Sequence, residues 1–154
     1  MSIILGFFFT HWVLSAFAQT FYLHRYASHQ MFTMSKGWER FWHLFTMIAQ
    51  GPSFLNPRGY AILHRMHHAY SDTEKDPHSP MHASNVFTLM WKTKHTYDDH
   101  AYSRVETPKQ FDLPTPSWPL IDNLGQSWVF RIAAGSLYAF FYIAFVPQGQ
   151  WGWY

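Results

Sequence analysis

Two short histidine runs carry most of the chemistry this sequence can do. The denser is His64-Arg65-Met66-His67-His68. On an α-helix, residues four apart are separated by about 40° around the axis and residues three apart by about 60°. His64 and His68 can therefore hold one metal from a single face. His67 points about 100° away from His68 and suits a neighbouring metal. The second run is His24-Arg25-Tyr26-Ala27-Ser28-His29. Its histidines are five apart, about 140° on an α-helix, which leaves two arrangements. Either the helix frays there, or the two rings serve different metals.

Five imidazoles call for a metal that accepts nitrogen ligands: iron, zinc or copper. The 154 residues contain no cysteine, which excludes disulfides, thiolate metal sites and cysteine nucleophiles. Several other chemistries lack their signatures. No Glu-x-x-His pair of the carboxylate-bridged di-iron bundles is present, nor the HExxH of zinc proteases, nor a GxSxG nucleophile elbow. Two metals with five or six positions each need about ten donors, water and substrate included. Five histidines fill about half, so either one metal binds alone or further ligands come from elsewhere.

The elements that must position these rings read as membrane helices. Aromatic residues make up 21% of the chain and charged residues only 13%, against roughly 25% charged in an ordinary soluble domain. The mean hydropathy of −0.20 averages two apolar ends with a polar middle. Residues 3–23 carry no charge, enough for a spanning helix, and lack the basic start and small-residue cleavage site of a signal peptide. Residues 127–147 form the second candidate span, with Arg131 near its start where a long side chain can snorkel. Beyond Pro147 and Gly149 come Trp151, Trp153 and Tyr154, aromatics that mark an interface and lead the pattern to expect more chain.

The apolar run at 41–49 is too short to span and reads as an interfacial or re-entrant helix, with Trp38 and Trp42 sharing a face. All 11 Lys and Arg lie between Arg25 and Arg131. That places residues 24–126 on the cytoplasmic side, with both apolar helices leaving from that face. Within this middle, 58–70 and 81–94 read as helices, and 71–80 and 107–119 as loops. The expected class is all-α, a single membrane domain with a cytosolic helical cap. The net charge of +2 and the absence of any nucleic-acid motif exclude a nucleic-acid partner.

The residues themselves resemble a known family. His24 to His29 matches the first histidine box, HxxxxH, of the membrane fatty acid desaturases, and His64 to His68 matches the second, HxxHH. The following run Ser71-Asp72-Thr73-Glu74-Lys75-Asp76-Pro77-His78-Ser79-Pro80 is similar to the stretch after the second box in the acyl-CoA, delta-9 branch, in a bacterial form. The resemblance implies four membrane helices under a cytosolic cap at the bacterial inner membrane. It implies two irons that activate O2, and removal of two hydrogens from adjacent methylenes of an acyl-CoA or acyl-lipid. It also implies electrons from a carrier such as cytochrome b5, rubredoxin or ferredoxin. His24, His29, His64, His67 and His68 carry over as iron ligands, though zinc fits the same imidazoles. The family's third box, a later HxxHH, has no counterpart here, so the sequence reads as an N-terminal part. A hydroxylase on the same scaffold and a non-catalytic metal-binding fragment are the alternatives.

Other polar residues carry weaker expectations. Asp72, Asp76 or His78 can support a ligating histidine through its second ring N–H, or simply cap the loop before Pro77. Arg58, Lys92 and Lys94 can meet the phosphates of coenzyme A. His95, Asp98, Asp99 and His100 form a rival cluster that reads as a solvated face. His11 and His43 read as packing.

Overall fold

A computed structural model describes residues 2–146, so the proline, glycine and aromatics of 147–154 lie outside the described residues. The chain begins with α1, Ser2–Ala18, which widens without a break into a π-helix at Gln19–Ser28. Then come α2, Lys36–Gln50, a 3-10 turn at Gly51–Ser53, and α3, Pro57–Tyr70. A second 3-10 turn, Pro80–His82, leads to α4, Val86–Ala101, followed by α5, Pro119–Gln126, and α6, Trp128–Phe145. No strand occurs among the described residues, as the all-α expectation requires.

Two rods, Ile3–Ser28 and Trp128–Phe145, are long and apolar enough to cross a membrane. Only 11% and 6% of their most apolar windows is buried within the protein, unlike the covered core helices of soluble domains. Phe9, Trp12 and Val13 on the first and Val129, Ile132 and Leu137 on the second face outward. Contact with water would cost about 25 cal/mol per Å² of that surface, and contact with lipid removes the cost. The rods run antiparallel. Phe7 stacks on Phe141 with ring centroids 4.1 Å apart, and His11 Nε2 lies 3.0 Å from the Tyr138 hydroxyl. His11 therefore packs, as expected, and adds a polar tie between the rods.

α2 runs antiparallel to the π-helix, with Tyr26 donating to Glu39 Oε2 at 2.6 Å and Tyr22 meeting His43 one turn further on. Its Trp38, Phe41, Leu44 and Ile48 are exposed, while His43, Thr46, Met47 and Gln50 are buried. Here the structure corrects the sequence reading. His43 is not merely packed: at 1% exposure it is the middle of a buried polar knot. Its Nδ1 lies 3.1 Å from the Tyr22 hydroxyl and its Nε2 2.8 Å from Asp122 Oδ1. Asp122 Oδ2 accepts the Trp118 backbone N–H at 2.9 Å. The knot ties the π-helix, α2 and α5 together beside the apolar cluster of Met47, Phe54 and Ile121. Arg131 completes this corner by donating to the carbonyls of Pro52 and Phe54 at 3.2 and 3.1 Å.

α3 starts where expected. Pro57 occupies its first turn, and the Asn56 side chain accepts from the N–H of Arg58 and Gly59. A Cβ at Gly59 would stand 2.7 Å from Ala101 Cβ and 2.8 Å from Tyr97 Cε2, so α3 and α4 touch backbone to side chain at that point. α4 departs from the expected 81–94. The 3-10 turn takes Pro80–His82, Asn85 caps the helix by accepting from the Thr88 N–H, and the helix then continues to Ala101. α5 lies almost wholly in 120–126, a stretch to which the sequence pattern assigns no element. Pro119, read as the end of a loop, is instead the first residue of a helix.

Candidate metal centre

The π-helix resolves the five-residue spacing. Its hydrogen bonds run from i to i+5, which brings residues five apart onto one face instead of about 140° apart. The His29 N–H bonds the His24 carbonyl at 3.0 Å, and the Ser28 hydroxyl reinforces the wide turn by donating to Leu23 O at 2.7 Å. The helix does not fray there, and its two histidine rings meet. His29 Nε2 lies 3.0 Å from His24 Nε2.

α3 brings the second pair to the same point. His64 Nε2 is 3.1 Å from His29 Nε2 and 3.1 Å from His68 Nε2. His24, His29, His64 and His68 thus present four ring nitrogens within 4.8 Å of one another, the one such group among the described residues. These contacts make a poor hydrogen-bond set, because each ring nitrogen has one proton or one lone pair, not both, and His29 and His64 share theirs between two neighbours. A cation drawing four lone pairs inward satisfies every ring. Two nitrogens about 2.1 Å from one ion and at right angles to it stand about 3.0 Å apart, the spacing seen. The residues present therefore fit a nitrogen-bound metal.

Burial pushes the His64 ring down to about 4, and the neighbouring rings of His24, His68, His29 and His67 add to the shift. Burial, then His24 and His68, also lowers His29. Both rings are consequently neutral and ready to ligate at physiological pH. A histidine lowered on folding is protonated first in the unfolded chain, so stability falls as pH drops from about 6.5 towards 4 and levels outside that window. Metal-free protein in detergent is expected to melt at a lower temperature at pH 5 than at pH 7.5, and His64→Asn is expected to shrink that difference.

His67 stands apart, as its angle on the helix requires. Its Nδ1 lies 2.9 and 3.0 Å from the two oxygens of Asp76, an arrangement that fixes the ring and leaves Nε2 as the nitrogen that could ligate. Burial works to raise the Asp76 carboxyl, but hydrogen bonds from His67 and from the backbone N–H of His78 and Asp72 outweigh it and hold it below the usual range. Of the loop residues considered, Asp76 meets His67 directly, while Asp72, at φ 62°, joins through its backbone N–H. His78 supplies its backbone N–H to Asp76 Oδ1 and sets its ring 5.9 Å from that of His67, with Nδ1 3.1 Å from Thr93 Oγ1.

His64, His67 and His78 line an open cleft of about 1100 Å³ whose wall includes Phe87, Met90 and Trp91 of α4 and Trp128 of α6. Lys94 lines it too, paired with Asp98, as does Arg104, which sequence reasoning missed because nothing local marks it. The three expected cations are not brought together. Arg58 Nη1 holds Asp112 Oδ1 at 2.7 Å, and Lys92 lines a separate small cavity of about 470 Å³. The rival cluster disperses as well. His95 packs on Trp91, Asp98 pairs with Lys94, and His100 is buried with Nδ1 3.0 Å from Thr107 Oγ1.

An apolar helical pair carrying a polyhistidine cluster at one end defines a membrane protein with a candidate metal site. The chain belongs to the fatty acid desaturase family, whose match covers residues 1–154. It is 33% identical over 79 residues to the delta-9 desaturase-like 4 protein of Arabidopsis thaliana, covering 51% of this chain and 25% of that protein. It is 31% identical over 114 residues to a hex-5-enoyl-(acyl-carrier protein) acetylenase of Moorena producens, covering 66% and 34%. A third relative, the delta-9 desaturase-like 5 protein of Arabidopsis thaliana, is 35% identical over 88 residues, covering 56% and 28%. The chain thus spans about a quarter to a third of the length of these relatives. No solved structure matches it.

Proposed function

We propose that this chain supplies part of the di-iron site of an acyl-chain desaturase, with His24, His29, His64 and His68 holding one iron and His67 contributing to a second. The observation that carries the reading is the convergence of four Nε2 atoms at the end of an apolar rod in a chain of this family. When bound, iron supplies the oxidative chemistry: two hydrogens leave adjacent methylenes, and O2 takes these with two further electrons and two protons to give two waters. The electrons come from a small redox carrier of the cytochrome b5, rubredoxin or ferredoxin kind.

The protein's own part is orientation. Asp76 holds the His67 ring, and burial keeps the His64 and His29 rings neutral. The apolar wall of Phe87, Met90 and Trp91 offers an acyl chain an apolar surface in the cleft that His67 also lines, and Lys94 and Arg104 at the same cleft suit an anionic headgroup. The basic residues favour the cytoplasmic side for this region, and the family resemblance favours a bacterial inner membrane, crossed by the rods Ile3–Ser28 and Trp128–Phe145. The acetylenase relative favours a second reading of the substrate, an acyl-carrier-protein thioester instead of acyl-CoA.

The test is to express the gene that encodes this chain, supply membranes with saturated acyl-CoA or acyl-carrier protein and a reducing carrier, and analyse the acyl products by mass spectrometry. Loss of two mass units with a new double bond is the expected result. A gain of sixteen would mean hydroxylation and overturn the desaturase reading.

A further inference from the structure

A helix leaves its last carbonyls without partners, and a π-helix ending at a ligand pair must satisfy them or unwind. Most are met locally. Leu23 O takes the Ser28 hydroxyl, His24 O the His29 N–H, Arg25 O the Met31 N–H, and Tyr26 O the Gln30 N–H. The last two, Ala27 O and Ser28 O, are met from α3. Arg65 donates through Nη2 to Ala27 O and through Nε to Ser28 O, each at 2.8 Å. Its Nη1 reaches Phe111 O at 3.1 Å in the loop that follows α4. Gln30 fastens the same loop by donating to Pro114 O at 2.7 Å.

Arg65 sits between His64 and His68, and the carbonyls it holds lie just before His29. One guanidinium therefore fixes the two histidine runs against each other. Its planar fork matches two adjacent carbonyls in a fixed geometry, which a lysine's compact, rotatable ammonium does not pre-organise. Without that hold, the favourable relaxation of the segment is to ordinary α-helical spacing, which would swing His29 about 140° from His24.

We propose that Arg65 is the positioning residue of the metal site. Its guanidinium caps the π-helix and keeps His24 and His29 in register with His64 and His68. This rests on the four-imidazole metal reading above, and the test separates the two. The full chain in detergent is titrated with Co(II), recording affinity and visible spectrum, for the parent, Arg65→Ala and Arg65→Lys. Amide hydrogen exchange at His29, Gln30 and Met31 is followed in the same metal-free samples.

Arg65→Ala is expected to weaken cobalt binding by about 10- to 100-fold, to change the spectrum and to speed exchange at those three amides. Millimolar methylguanidinium is expected to restore the spectrum, which repair of a merely structural defect would not do. Arg65→Lys is expected to fall between, and it carries the comparison if the alanine chain does not fold. Cobalt affinity and spectrum unchanged in both variants, or unchanged amide exchange, would overturn the proposal. A parent chain that takes up no cobalt would overturn the metal reading and the positioning role with it, whatever the exchange data show about the cap.

Discussion

Asp122→Ala is expected to lower the stability of this chain by about 3–5 kcal/mol, the cost of breaking a buried, hydrogen-bonded ionisable pair by removing one partner. Three losses combine there. His43 Nε2 loses its 2.8 Å contact inside a site with 1% exposure. The Trp118 N–H loses its acceptor. The side chain that links α5 to α2 is gone, and with it the polar support beside Met47, Phe54 and Ile121. In a chain of this size such a loss corresponds to a melting midpoint lower by roughly 6 °C or more, readable from intrinsic tryptophan fluorescence in detergent. Asp122→Asn is expected to cost less, because an amide oxygen can still accept from His43. A midpoint unmoved by Asp122→Ala would mean that the knot is solvated or not formed.

The second large effect belongs to His64. Its Nε2 touches the Nε2 of both His29 and His68, its ring centroid is 4.6 Å from that of His24, and Tyr60 stacks on its other side at 5.5 Å. Its Nε2 is the one from the second run within 3.1 Å of a ring nitrogen of the first, beside a second ring contact between His29 and His68 at 5.0 Å. His64→Ala is therefore expected to abolish tight metal binding, with at least about 100-fold loss in Co(II) affinity, more than the upper end for a supporting residue. His95→Ala, taken from the dispersed cluster on α4, is expected to leave it unchanged. Equal losses in both variants would point to general unfolding and not to a site.

The two kinds of histidine run were not equally legible. His64, His67 and His68 could be placed from spacing alone, because an α-helix turns any i, i+3, i+4 pattern into fixed angles and nothing tertiary intervenes. The apolar spans were legible for a similar reason, since length and charge suffice. His24 and His29 could not be placed, because the widened turn depends on Arg65, 38 residues from Ala27. On sequence alone His43 offers no more than packing, because its decisive partner, Asp122, lies 79 residues away. The sequence pattern starts α4 too early, at Met81, because the Pro80–His82 turn and the Asn85 cap override it. Local geometry carried through to the structure, whereas contacts made across the fold did not announce themselves.

On the proposed reading, four imidazoles from two helices of different pitch share one metal while His67 stands outside that set. X-ray absorption on the Co(II)-loaded chain, compared with His67→Ala, counts the imidazoles on the ion. Four imidazole nitrogens about one ion per chain, unchanged in His67→Ala, is the predicted result. Fewer imidazoles in the parent, or a count that falls when His67 is removed, would contradict it.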